Sequence, residues 1–169
     1  MKLHVPKFSE LGFRAALLAD PEAMSYNRGY DLAFSGYHRD TGCIDFPPEA
    51  WPAWYEVWVE SARENRKFYA YVEQDGAFVG EVSLHSTDGG KCCELGVLIA
   101  PRFRGKGFSK EALRLLKDHA FNELGAEMLT NRFEKTREAA VRLHRSLGFT
   151  VKDEGGGMLV FALPRPTAE

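Results

Sequence analysis

The sequence predicts a mixed α/β domain on a single, mostly antiparallel sheet flanked by helices. Three observations predict it. The runs Phe68–Glu73 and Phe78–His85 alternate apolar and polar residues across Asp75-Gly76, a two-residue hairpin signal. The apolar run Leu95–Ala100 is stopped by Pro101 and followed by a basic, glycine-containing turn and an amphipathic helix. A second hairpin, Thr150–Asp153 and Met158–Leu163, flanks a triple-glycine loop. A length of 169 residues suits one domain with a sizeable core, so residues 1–169 read as a single domain.

Taken in order, residues 2–6 predict a first strand closed by Pro6. Leu11, Ala15, Leu18 and Ala19 share a face of a predicted helix from Ser9 to Ala19. Asp20-Pro21-Glu22 predicts a fresh helix start, with aspartate as cap and proline in the first turn. Residues 25–47 have no regular pattern, and a connection of that length is either partly helical or functional. Asp45–Asn65 predicts a helix whose Trp51, Trp54, Tyr55, Trp58 and Val59 form a stripe facing the core. The first hairpin follows, and Asp88-Gly89-Gly90 turns the chain into a strand from Cys92 to Ala100. The next helix spans Ser109–Leu124, with Leu113, Leu116, Ala120 and Leu124 on one face and Gly125 at its end. A short strand, Met128–Phe133, precedes a helix over Thr136–Leu147 that Gly148 terminates.

Composition narrows the class. Apolar residues at 44% and charged residues at 27% describe a globular, soluble chain. A net charge of −2 gives no sign of a nucleic-acid partner. Three cysteines, two of them adjacent, suit reduced thiols better than a disulfide framework. No apolar run reaches the length of a membrane span, and the N-terminus lacks a signal-peptide core, so a cytoplasmic location is expected. No metal-ligand spacing is present.

The stretch Glu94–Leu116 carries the chemistry. A strand opening through a short turn onto a helix N-terminus offers unpaired amides and about half a unit of positive charge. A phosphate or pyrophosphate is the natural guest. Gly105 and Gly107 let the backbone approach a ligand, and Arg102, Arg104, Lys106 and Lys110 surround it with cations. A Walker A loop and a dinucleotide fingerprint both need residues that are missing here.

The run Arg104-Gly105-Lys106-Gly107-Phe108-Ser109 resembles the acyl-CoA motif of the GNAT N-acetyltransferase superfamily, Gln/Arg-x-x-Gly-x-Gly/Ala, with Ser109 at the last position. Serine there is small and a good helix N-cap. Residues 139–149, AAVRLHRSLGF, resemble a second family segment, with Arg137 in place of a common asparagine and His144 in place of a common tyrosine. The element order matches the family over residues 1–163. The resemblance implies a GNAT-like acyltransferase fold and an acetyl-CoA-dependent N-acetyltransferase acting on a primary amine, by direct attack in a ternary complex. A non-catalytic acyl-CoA sensor on the same fold and a transferase of longer acyl groups are the other readings.

The resemblance also implies roles. Residues Arg104–Ser109 and the end of the strand at Leu98 and Ile99 would hold the donor, its pantetheine arm lying where this strand splays from Met128–Phe133. Arg137 would lie near that arm. A backbone N–H of the strand would face the carbonyl oxygen, and Gly96 signals close backbone approach. His144 faces the apolar side of its helix and is either the acid that protonates the thiolate or a core histidine. For the base the sequence leaves Glu81, Glu94, Glu134 and an ordered water open. Tyr26, Tyr30, Asp31, Tyr37, His38, Asp40 and Asp45 are candidates to line the acceptor site. The long early insertion leans by analogy toward enzymes that acetylate ribosomal-protein N-termini and their small-molecule relatives. The expected partners are acetyl-CoA and an amine, with neither nucleic acid nor membrane, and a homodimer is left open.

Overall fold

The computed structural model describes residues 1–167; the last two residues of the predicted single domain lie outside the described residues. Seven strands form one sheet: β1 (Lys2–His4), β2 (Lys67–Gln74), β3 (Ala77–Ser86), β4 (Cys92–Ile99), β5 (Met128–Glu134), β6 (Thr150–Gly155) and β7 (Met158–Pro164). Their order across the sheet is β1-β2-β3-β4-β5-β7-β6. Every neighbouring pair is antiparallel except β4 with β5. The four helices are α1 (Gly12–Leu18), α2 (Trp51–Tyr55), α3 (Phe108–Asn122) and α4 (Glu138–Ser146). None of the described helices is long and apolar enough to cross a membrane.

Strand alternation divides the side chains between two faces. Val82 and Leu84 of β3, Leu95 and Ile99 of β4, and Leu129 and Phe133 of β5 pack with Leu113, Leu116 and Ala120 of α3 in the main core. Ala140, Val141 and Leu143 of α4 close the same core. The opposite face carries Glu81, Ser83 and His85, paired across to Leu98, Gly96 and Glu94 of β4. Leu98 joins Leu17, Leu18 and Met24 in a smaller core under α1. The close approach signalled by Gly96 is real: a Cβ there would lie 2.7 Å from Ser83 Oγ.

Several predicted boundaries change. β1 is three residues long rather than five, and the first helix begins only at Gly12, after a 3₁₀ turn over Phe8–Glu10. Asp20 does cap, accepting the amides of Glu22 and Ala23 at 2.8 and 3.2 Å, but no regular helix follows. The helix predicted over Asp45–Asn65 is shorter and changes pitch. A 3₁₀ turn at Pro48–Ala50 leads into α2, which widens over Glu56–Glu60 so that Ser61 N–H reaches Glu56 O at 2.7 Å. Its aromatic stripe is half-buried rather than deep, packing on other rings instead of the aliphatic core.

Candidate active site

β4 and β5 part company. They pair only where Cys92, Cys93 and Glu94 meet Met128, Leu129 and Thr130. Beyond Glu94, β4 remains bonded to β3 as far as Ile99, while β5 remains bonded to β7 as far as Glu134. A wedge therefore opens mid-sheet, lined on each side by a strand edge with no strand opposite. Such edges need a hydrogen-bonding partner, and an extended ligand containing amides fits between them.

The basic turn stands where β4 ends. Gly105 and Gly107 have φ of 74° and 79°, in the left-handed region that glycine enters without steric cost. A Cβ on either would meet nothing within 4 Å, so the space before them is open. Gly107, not Ser109, is the residue that precedes α3; Ser109 lies inside the first helical turn and caps nothing. Among the described residues, no amide from Gly105 to Lys110 has a backbone acceptor. Unpaired amides and a helix dipole beside open space are what a pyrophosphate needs. Lys106 and Arg102 are exposed beside it, their cations 5.6 and 4.8 Å from the Phe103 ring centre. Arg104 turns away: its Nε donates to Ile99 O at 3.1 Å and its Nη2 to Ala23 O at 3.4 Å.

Two of the predicted base candidates sit in different surroundings. Glu81 accepts from Arg14 Nη1 at 2.7 Å and from the Tyr69 hydroxyl. The Arg14 guanidinium lies 4.6 Å from the Trp54 ring centre, with Tyr69 and Phe46 on its other sides. Burial opposes the arginine's charge, but Glu81 and Tyr69 outweigh it and hold the group firmly protonated. Burial, with Glu81 beside it, pushes the Tyr69 hydroxyl well above its ordinary range, so it stays a donor. Glu94, in contrast, makes no side-chain hydrogen bond or ion pair among the described residues. It is partly exposed at the apex of the wedge, opposite His85 on β3 and Thr130 on β5.

His144 is 2% exposed, among Phe133, Phe149 and Phe161. Its Nδ1 meets Ala140 O at 2.8 Å and its Nε2 meets Asn131 Nδ2 at 3.0 Å. Asn131 Oδ1 accepts the Arg132 amide, which leaves the Asn131 NH₂ to donate and fixes the imidazole as the neutral Nδ1–H form. Burial lowers its pKa. Arg137 is exposed just before α4, its guanidinium 5.4 Å from the Tyr26 ring centre and 4.0 Å from Glu134. Tyr30 donates to Glu134 across 104 residues of sequence. Asp31 pairs with Arg39 at 3.0 Å and His38 with Asp45 at 2.9 Å, so these candidates brace their own loop. Cys93 is partly buried, which raises its thiol pKa and keeps it unreactive.

Sequence reasoning missed Arg14. Its one local signal is a lone cation in the otherwise apolar run Leu11–Ala19. An open hollow of about 460 Å³ lies against α1 and Ala100–Arg102, beside the turn; of the residues predicted around the donor it takes in only Arg102, and none of the catalytic candidates.

Comparison with known proteins agrees with this geometry. The chain is 31% identical over 110 residues to spermidine N(1)-acetyltransferase of Escherichia coli, covering 59% of this chain and 58% of that protein. It is 35% identical over 104 residues to L-methionine sulfoximine/L-methionine sulfone acetyltransferase of Salmonella typhimurium, covering 59% and 57%. The matched stretch thus spans under three fifths of these relatives' length. Their substrates are small molecules, so the lean toward ribosomal-protein acetylation is not supported. Among solved structures, the putative acetyltransferase yncA of Salmonella typhimurium with acetyl-CoA superposes with a TM-score of 0.72 at 20% identity, over 100% of this chain and 96% of that one. The spermidine N-acetyltransferase of Vibrio cholerae with CoA and spermine gives 0.71 at 19% identity, over 95% and 92%. At these identities the likeness establishes the fold. The family profile described as Acetyltransferase (GNAT) domain matches residues 7–150, and with the wedge and turn in place the chain belongs to the GNAT acetyltransferase family.

Proposed function

We propose that the protein, with residues 1–169 as one domain in the cytoplasm, transfers an acetyl group from acetyl-CoA to the primary amine of a small molecule. The observation that carries this is the wedge between β4 and β5 ending at a turn of unpaired amides. The amides of Gly105–Lys110 hold the pyrophosphate, with Lys106 adding charge. The free edge at Leu98 and Ile99 pairs with the amides of the pantetheine arm, and Arg137 borders the opposite rim. Arg104 acts indirectly, tying the turn to Ile99 and Ala23.

The amine nitrogen attacks the thioester carbonyl carbon while a backbone N–H of β4 stabilises the oxyanion. Glu94 takes the amine proton, directly or through a water, because its carboxylate is free at the wedge apex. The C–S bond then breaks and coenzyme A departs as its thiolate, which solvent protonates. Glu81 serves structure through Arg14, and His144 serves the core, since both of its ring nitrogens are engaged. Spermidine-like polyamines and amino-acid-like amines are the first acceptors to try, given the relatives.

The test is a panel of these amines with acetyl-CoA, reading free thiol, alongside calorimetry of coenzyme A. Gly107→Glu, which brings a carboxylate to the pyrophosphate position, should remove most of the coenzyme A affinity in a folded protein. Unchanged affinity would remove the donor site. A sensor module would bind acetyl-CoA and release no amine-dependent thiol.

A further inference from the structure

The segment from Ala23 to Tyr30 joins the two diverging strands. Near its start, Ala23 O is held by Arg104, which also grips Ile99 O where β4 ends. Met24 is 1% exposed and packs in the small core with Leu98 and Phe103. At its far end, the Tyr30 hydroxyl donates to Glu134, the last residue of β5. Between these anchors the Tyr26 ring lies under the Arg137 guanidinium, which also covers Phe133. The chain therefore runs from the end of one wedge strand to the end of the other and crosses the mouth on the face that carries Glu81 and Glu94. Tyr37 fastens the segment from behind, its single hydroxyl proton shared between Asn27 O at 2.5 Å and Tyr30 O at 2.8 Å.

We propose that Tyr30 and Glu134 are positioning residues whose clasp holds this strap across the wedge and shields the acyl thioester from water until an amine is in place. The proposal rests on the donor reading above. It follows from what the site must exclude. Water and an amine compete for the same carbonyl carbon, and water is in vast excess. When water attacks, the C–S bond breaks, acetate forms and coenzyme A leaves as free thiol. An acyltransferase keeps this reaction slow by denying water access to the carbonyl. The strap spans the face from which either nucleophile must come, and the clasp is its one side-chain hydrogen bond to β5 among the described residues. Because Glu134 raises the pKa of the Tyr30 hydroxyl, the donor remains protonated around neutral pH.

The experiment compares wild type, Tyr30→Phe, Glu134→Ala and the double variant. Amine-independent thiol release from acetyl-CoA should rise at least fivefold in each single variant, and the double should rise no further than Glu134→Ala, which removes the same bond together with the Arg137 contact. Amide hydrogen exchange over residues 25–37 should quicken in the same variants. Calorimetric affinity for coenzyme A and the thermal midpoint should hold. Unchanged hydrolysis overturns the proposal, whether or not exchange quickens. So does a rise in hydrolysis that only tracks lost thermal stability. If wild type binds no coenzyme A, calorimetry reports the failure of the donor reading itself, and the shielding role falls with it. Bound donor with unaltered hydrolysis rejects the clasp alone.

Discussion

His144 and Glu94 show how neighbours assign roles to residues of similar promise. An imidazole whose Nδ1–H is given to Ala140 O and whose Nε2 takes the Asn131 amide has no free proton and no free lone pair. His144→Phe therefore leaves the half-buried Asn131 NH₂ without its acceptor and removes the ring's bond to Ala140 O, which costs about 1–3 kcal/mol. Urea unfolding should show that loss, while turnover per folded molecule stays within twofold. The pH dependence follows in sign. Burial lowers the folded pKa of His144 below its unfolded value, so the unfolded chain takes up a proton first. Stability from this residue is complete above about pH 6.5 and falls as pH drops toward the lowered folded pKa. Wild-type unfolding midpoints between pH 5 and 8 should carry that limb, and His144→Phe should lack it. Glu94 is the reverse case, a carboxylate with nothing to hold. Glu94→Gln should lower kcat by about 10²- to 10⁴-fold and leave the coenzyme A affinity unchanged. A kcat within threefold of wild type would shift the base to another group.

Among elements, α1 is fastened to the sheet through one ion pair. Arg14 reaches Glu81, and Tyr71 accepts the Arg14 amide at 3.3 Å while donating to Glu10 O at 3.0 Å. Arg14 Nε is buried with no partner, so the site is already short of one hydrogen bond. Glu81→Ala leaves the guanidinium without a counter-charge and with only the Tyr69 hydroxyl, at 3.4 Å, as acceptor, and should cost about 3–5 kcal/mol in urea unfolding. Replacing both groups, as Arg14→Met with Glu81→Leu, should recover most of it, and no recovery would mean that the pair does not act as a unit. This cluster marks the boundary of what the sequence could reveal. Hairpins at Asp75-Gly76 and at the triple glycine were legible because turn chemistry and alternation are local. The strand, turn and helix around Gly105 were legible for the same reason. Arg14 meets Glu81 across 67 residues and Tyr30 meets Glu134 across 104, and no periodicity encodes either meeting. The divergence of β4 from β5 was available only through family resemblance, since both strands read as ordinary apolar runs. Ser109 was misplaced as a cap because composition favours serine there, while the backbone needed a positive φ two residues earlier, at Gly107.

Across the whole molecule, the proposed donor site divides into two parts with different physics. The turn contributes amides, a helix dipole and exposed cations, which would act on the pyrophosphate, on a chain whose net charge is only −2. The wedge contributes strand edges, which would act on the neutral pantetheine arm. The two can be separated by pairing a truncated donor with a truncated site. S-acetylpantetheine lacks the pyrophosphate and should bind at least a hundredfold more weakly than acetyl-CoA, with little dependence on salt. Acetyl-CoA affinity should weaken as ionic strength rises, because its charged contacts are exposed and screened. Gly107→Glu should remove most of the acetyl-CoA affinity and leave S-acetylpantetheine near its wild-type value, since the introduced carboxylate meets only the missing group. Equal losses for both donors would mean that the turn shapes the wedge as a whole rather than binding phosphate. A variant that weakens only acetyl-CoA, with a salt dependence flattened to that of the truncated donor, would place the pyrophosphate at the N-terminus of α3.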